Sequence, residues 1–192
     1  MAISVLSFPC PKFEISNLKS QIPPISVSVA NEQRILRIDR RFIRRVVERT
    51  LLAENVASAE ISVALVDDAR SHETNREFLG HDYATDVISF LLECESPRER
   101  SPAFSKSRAS ESPRGAGISL VGELVVSTET AVTNAAQYGW NPRDELTLYL
   151  VHGLLHLCGY DDQSRKEQRL MRARETEILA QWKLVPHYTT RL

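Results

Sequence analysis

"NPRDELTLYLVHGLLHLCGYDD", residues 141–162, decides how this chain is read. It is helical from its start. Asn141 can cap it, and Pro142 is tolerated at the first helical position, where its missing N–H costs nothing. Asp144 and Glu145 complement the positive end of the helix dipole, and Gly159 can take the left-handed conformation that closes it. Inside the oily run His152 and His156 lie four residues apart. At about 100° per residue they fall roughly 40° apart on the circumference, so two ring nitrogens can converge on one ion. Zinc takes about four ligands, and two imidazoles leave it short. The chain reverses at Gly159, where Asp161 or Asp162 can swing back with a carboxylate, a competent zinc ligand. Cys158 lies about 240° from His152 on the same wheel and is not counted. The plainer alternative is two histidines with local hydrogen bonds. The zinc-protease helix shares this spacing but has a Glu general base after the first His. Here that position is Gly153, which disfavours peptide hydrolysis.

Outward from this helix, strands and helices alternate. "ISVSVA" (25–30) alternates as a strand, and residues 39–53 turn helical, with Phe42, Ile43, Val46, Val47 and Leu51 at three- and four-residue steps. "AEISVALVDD" is a second strand, followed by a short helix around "SHETNREFLG" that Gly80 stops. "ATDVISFLLE" and "ISLVGELVVS" are the third and fourth strands, and residues 127–138 and about 164–181 are further helices. The expected fold is α/β: one domain over 25–185, a small mixed four-stranded sheet packed by helices, and a metal site at the C-terminal end of the His-bearing helix. Residues 1–24 read as an extension, and the Ser-, Pro- and charge-rich 93–117, with Phe104 its only aromatic, as a mobile loop.

Bulk composition narrows the classes. With 192 residues and 42% hydrophobic content, the chain can bury a core. A net charge of -1 means that any polyanionic partner must meet a local patch. Three scattered cysteines, Cys10, Cys94 and Cys158, imply no disulfide framework. The N-terminal run lacks early positive charge and is broken by Pro9 and Pro11, a poor signal peptide. No run approaches the roughly 20 apolar residues of a membrane span, so a cytoplasmic protein without a membrane partner is expected.

"HGLLHLCGYDD" resembles the His-Gly-x-Leu-His-Leu-x-Gly-Tyr-Asp-His signature of the YbeY family, bacterial rRNA-maturation endoribonucleases. "TDVISF" (85–90) and "VGELVVS" (121–127) resemble two strands of that family, and the likeness spans roughly 60–180. The resemblance implies one zinc ion, RNA phosphodiester hydrolysis in 16S rRNA 3′-end maturation and ribosome quality control, and rRNA and the small ribosomal subunit as partners, with no DNA. It matches His152 and His156, the candidate catalytic residues, to the first two metal ligands. The third falls on Asp162, whose oxygen shifts preference toward harder ions. Where the family has an arginine before the Thr-Asp-Val strand, this chain has Leu79; Arg76, one turn earlier, or His81 could reach over, or each is a surface residue.

Asp86 and Glu123, on neighbouring strands, are candidates to orient water or a ligand ring; the plainer roles are a turn cap and an edge-strand charge. Arg37, Arg41, Arg44 and Arg45, with Arg40, form a stripe opposite the Phe42/Val46 face, either an RNA contact or a solvated face. Tyr138, Trp140 and Tyr160 could stack bases or simply pack. Two other functions compete with the nuclease: a ribosome-assembly factor with a structural zinc and little cleavage, which Leu79 favours, and a metal-dependent hydrolase of another substrate.

Overall fold

The structure is a computed structural model that describes residues 24–95 and 113–188. Strand β1 (Ile25–Asn31) leads into α1 (Arg40–Ala53), β2 (Ser58–Val66) and α2 (Asp68–Leu79). Then come β3 (Val87–Glu95), β4 (Ser119–Ser127), α3 (Thr128–Tyr138), α4 (Pro142–Leu157) and α5 (Arg165–Leu179), which ends in a 3-10 turn at 180–182. The sheet order is β1-β2-β4-β3. β1 and β4 both pair with β2 in parallel, and β3 pairs with β4 antiparallel, which is the mixed four-stranded sheet expected.

Local chemistry sets the helix starts. Asp39, Asp67, Ser127, Asn141 and Ser164 each cap a helix by accepting a backbone N–H from its first turn. Asp67 does this to Arg70, so α2 begins at Asp68, three residues before the serine where the sequence places it. α1 begins only at Arg40, so Arg37 lies ahead of the helix and not on the expected arginine stripe.

One face of the sheet carries the main core, in which Ile61, Val63, Leu65, Leu124 and Val126 meet buried side chains of α1, α4 and α5. α2 lies over the opposite face, where Val66, Ile88 and Val125 form a smaller cluster and Phe78 meets Phe90 edge to face at 5.3 Å. α4 is buried nearly all round, as an apolar helix at the centre of a fold must be.

Gly153 sits where α4 presses on the sheet. A Cβ there would lie 2.9 Å from Leu124 Cδ2 and 3.0 Å from both Ser89 Oγ and Val87 Cγ2. Ser89 Oγ also donates to the Gly153 carbonyl at 3.1 Å. The residue that cannot serve as a protease base is the one that lets this helix approach. Gly153→Val is expected to destabilise the fold by about 1–3 kcal/mol through overpacking. A lower urea midpoint at unchanged slope would show it, and an unchanged midpoint would show that the contact gives way freely.

Two boundaries differ from expectation. β3 runs on to Glu95, past a bulge between Leu91 and Glu93, so residues 93–95 are paired strand rather than loop. At the far end, Gly115 N–H donates to Glu54 Oε2 at 3.3 Å and Arg114 Nη1 to the Gly159 carbonyl at 2.7 Å, which packs this part of the expected loop against the body. The remainder of that loop, 96–112, and residues 1–23 of the expected extension lie outside the described residues. Among the described residues no helix is long and apolar enough to cross a membrane.

Candidate metal centre

His152 and His156 project from the last turns of α4, their ring centroids 4.6 Å apart and their planes at 84°. Each ring is held from behind. His152 Nδ1 lies 2.7 Å from Glu175 Oε1, and His156 Nδ1 lies 3.1 Å from the Tyr160 carbonyl oxygen. The second contact exists because Gly159, at φ 89°, turns the chain back over the helix end. Carboxylate and carbonyl oxygens accept hydrogen bonds, so each neutral ring carries its proton on Nδ1. In that tautomer both Nε2 atoms are free to accept an ion, and they lie 3.1 Å apart. That is close to the roughly 3.3 Å edge of a tetrahedron with bonds of 2.0–2.1 Å to a central ion.

Asp162 completes the group. One ligand atom from each of His152, His156 and Asp162 lies within 4.8 Å of the other two. The structure also separates the two turn acids: Asp161 Oδ1 accepts from the backbone N–H of Asp162 and Gln163, which leaves Asp162 as the carboxylate that joins the rings. Cys158 is 4% exposed, its thiol pushed up by burial, and it stands outside this group. The donor set therefore fits a divalent cation: two oriented imidazoles, one anionic oxygen and open space beyond.

Charge is tuned around the rings. Burial pulls the His152 pKa down, but the hydrogen bond and charge of Glu175, helped by Asp86 and Asp162, outweigh it and the net direction is upward. His156 moves downward, through burial and then the charge of His152. Glu175 is itself 2% exposed and accepts from the Tyr188 hydroxyl at 2.6 Å.

His152 and Asp162 line a cavity of about 660 Å³ with Asp86, Glu145, Glu175 and Arg172. Burial raises the Glu145 carboxyl, and Asp86 adds to the effect. Beside it, Asn134 Nδ2 donates to the Tyr149 hydroxyl at 2.7 Å. Asp86 both caps a turn and lines the cavity, its Oδ1 accepting from Thr85 Oγ1 and Val87 N–H.

Other sequence candidates lie elsewhere. Glu123 is on β4, an interior strand rather than an edge, and faces away from α4 with Val125. Arg76 is exposed beside a separate shallow depression with Arg70, His72 and Glu73. Leu79 is 51% exposed at the end of α2, and His81 stacks on Tyr83. Arg37, Arg41, Arg44 and Arg45 are all exposed. Tyr160 is 9% exposed beneath Arg114, a packing position, and Trp140 meets His187 edge to face.

Sequence reasoning missed Glu175, Glu145 and Arg172. A signal for Glu175 was present. It falls in the stripe of Met171, Ile178 and Leu179, all buried, and an acid on the apolar face of a helix demands a partner.

The sequence pattern of the family described as Endoribonuclease YbeY matches residues 26–183. This chain belongs to the YbeY family. Its match runs from β1 to the residue after the 3-10 turn, and so takes in every strand, every helix and the three-residue ligand group. An Endoribonuclease YbeY of Moorella thermoacetica is 41% identical over 139 residues, 72% of this chain and 83% of the relative. That of Pelotomaculum thermopropionicum is 33% identical over 162 residues, 82% and 97% of the two chains. That of Bacillus cereus is 37% identical over 139 residues, 72% and 83%. A Thermotoga maritima protein solved in solution is similar over 83% of this chain and 91% of its own, at 20% identity and a TM-score of 0.47.

Proposed function

We propose that this protein is a zinc-dependent endoribonuclease that cuts single-stranded RNA in the cytoplasm. Its place is 16S rRNA 3′-end maturation and ribosome quality control, with rRNA and the small ribosomal subunit as partners. The observation that carries the metal half of this reading is the pair of Nε2 atoms 3.1 Å apart, each ring held at Nδ1 from behind, beside Asp162 at the wall of an open cavity. The RNA half comes from the family.

His152, His156 and Asp162 would hold the ion. When bound, zinc polarises a phosphoryl oxygen and makes an attacking water more acidic. The chain's own groups then do the positioning. Glu175 and the Tyr160 carbonyl keep both rings in one tautomer and one orientation. Asp86, tethered by Thr85 and Val87, orients a substrate hydroxyl or water at the cavity wall. Arg41, Arg44 and Arg45, with Arg37 ahead of them, offer exposed charge to neighbouring phosphates.

A second reading, a ribosome-assembly factor with structural zinc and little cleavage, is favoured by one observation: Leu79 puts an exposed hydrophobe where the family resemblance places an arginine. A cleavage assay on structured rRNA with zinc-loaded protein separates the two. Wild type is expected to cut single-stranded segments, and His152→Ala to lose at least about a hundredfold in rate, since even groups behind metal ligands are worth 10–100-fold. Cutting that survives His152→Ala overturns the nuclease reading. Firm ribosome binding without cutting by wild type selects the second.

A further inference from the structure

The cavity beside the rings has an acidic wall. Asp86, Glu145, Asp162 and Glu175 all line it, yet an RNA strand entering it carries a negative charge at every phosphate. Arg172, on α5 and half-buried, is the only arginine or lysine among its lining residues. Arginines next to several carboxylates usually pair with them, as Arg174 does with Glu54 and Glu177. Arg172 does not: among the described residues its guanidinium makes no ion pair and no hydrogen bond. Its contact is with the Tyr188 ring, 4.7 Å from the guanidinium carbon to the centroid.

That contact fixes where the charge sits. The Tyr188 hydroxyl donates to Glu175 Oε2 at 2.6 Å, and Glu175 Oε1 lies 2.7 Å from His152 Nδ1. Three of the four acids on this wall are engaged elsewhere. Glu175 is shared between Tyr188 and His152, Asp86 Oδ1 is taken by Thr85 and Val87, and Asp162 belongs to the ligand group. An arginine oriented by an aromatic face, with its N–H fork unspent, suits bidentate capture of a phosphate.

We propose that Arg172 is a substrate-binding residue that grips one phosphate of the RNA strand inside the cavity, beside the ion-binding rings. The assignment rests on the nuclease reading above. It places a phosphate subsite on α5, on the wall formed by the end of the described chain.

Binding tests it directly. The probe is a short fluorescein-labelled, 2′-O-methylated single-stranded RNA, followed by anisotropy with zinc-loaded protein across a series of potassium chloride concentrations. Arg172→Gln is expected to bind about tenfold more weakly, the value of one charge-assisted contact. It should also lower the slope of log affinity against log salt by about 0.7, the signature of one phosphate contact fewer. Arg172→Lys keeps the charge and loses the fork, so it should keep the wild-type slope at an intermediate affinity. Arg165→Gln, an exposed charge at the start of the same helix, should change neither. Zinc content and melting temperature should match wild type in all three. Wild-type binding that Arg172→Gln retains at full strength and slope overturns this assignment alone. Wild-type protein that binds no RNA overturns the nuclease reading and this assignment together.

Discussion

Purified His156→Ala protein is expected to carry less than about a tenth of the wild-type zinc, because one of the three proposed ligands is gone and the remaining pair would no longer close around an ion. The pH dependence should follow from the rings' own shifts. Glu175 holds the His152 pKa above its ordinary value, so a proton competes for that ring's nitrogen at higher pH than for an ordinary imidazole. Wild-type affinity should fall about tenfold per pH unit once pH drops below the raised His152 value, and more steeply below the lowered His156 value, where a second proton competes. Above both values affinity should level off. Competition with a chelating indicator over that range measures it. Wild-type zinc content in His156→Ala would remove the basis for a metal role.

The second large effect concerns stability rather than chemistry. Glu54, at the end of α1, is fully buried, and its charge is met chiefly by Arg174 Nε at 2.6 Å. Arg174 also donates from Nη2 to the Ala53 carbonyl, so it holds α5 against the end of α1 at two points. Arg174→Met leaves the carboxylate with only the Gly115 N–H at 3.3 Å and the Tyr160 hydroxyl at 3.5 Å. An uncompensated buried charge of this kind costs about 3–5 kcal/mol. For a chain of this length the melting temperature should drop by on the order of 10 °C. Glu54→Leu combined with Arg174→Met should recover most of that loss, since a buried pair replaced by apolar groups is often neutral. A double variant as unstable as the single would show that Arg174 acts through its packing.

How much of this was legible in the chain is clearest residue by residue. Caps and periodicity announced the described helices and strands, because residues such as Asn141 and Gly159 act on their immediate neighbours. The ring pair was legible for the same reason, since helical spacing alone brings His152 and His156 together. Residue chemistry alone left Asp161 and Asp162 open; the family resemblance pointed to Asp162, and in the turn Asp161 spends its oxygen on the backbone. Glu123 was misplaced because strand parity gives two faces without saying which one α4 covers. Arg172 and Glu175 escaped because their roles depend on how α5 docks beside α4, a packing decision written in no local pattern. Arg37 fell off the stripe when Asp39 began the helix two residues later.

The bare backbone at Gly153 has a further bearing on the rings it adjoins. A helix can in principle roll about its axis, and a roll of one residue's width would carry the His152 imidazole out of reach of Glu175. Close approach of that one unadorned position to Leu124, Ser89 and Val87 opposes such a roll. The aim of the nitrogen pair is thus indexed from two sides, by the sheet behind α4 and by the Tyr160 carbonyl at the helix end. Sequence drift in connections away from that turn should leave the aim unaltered.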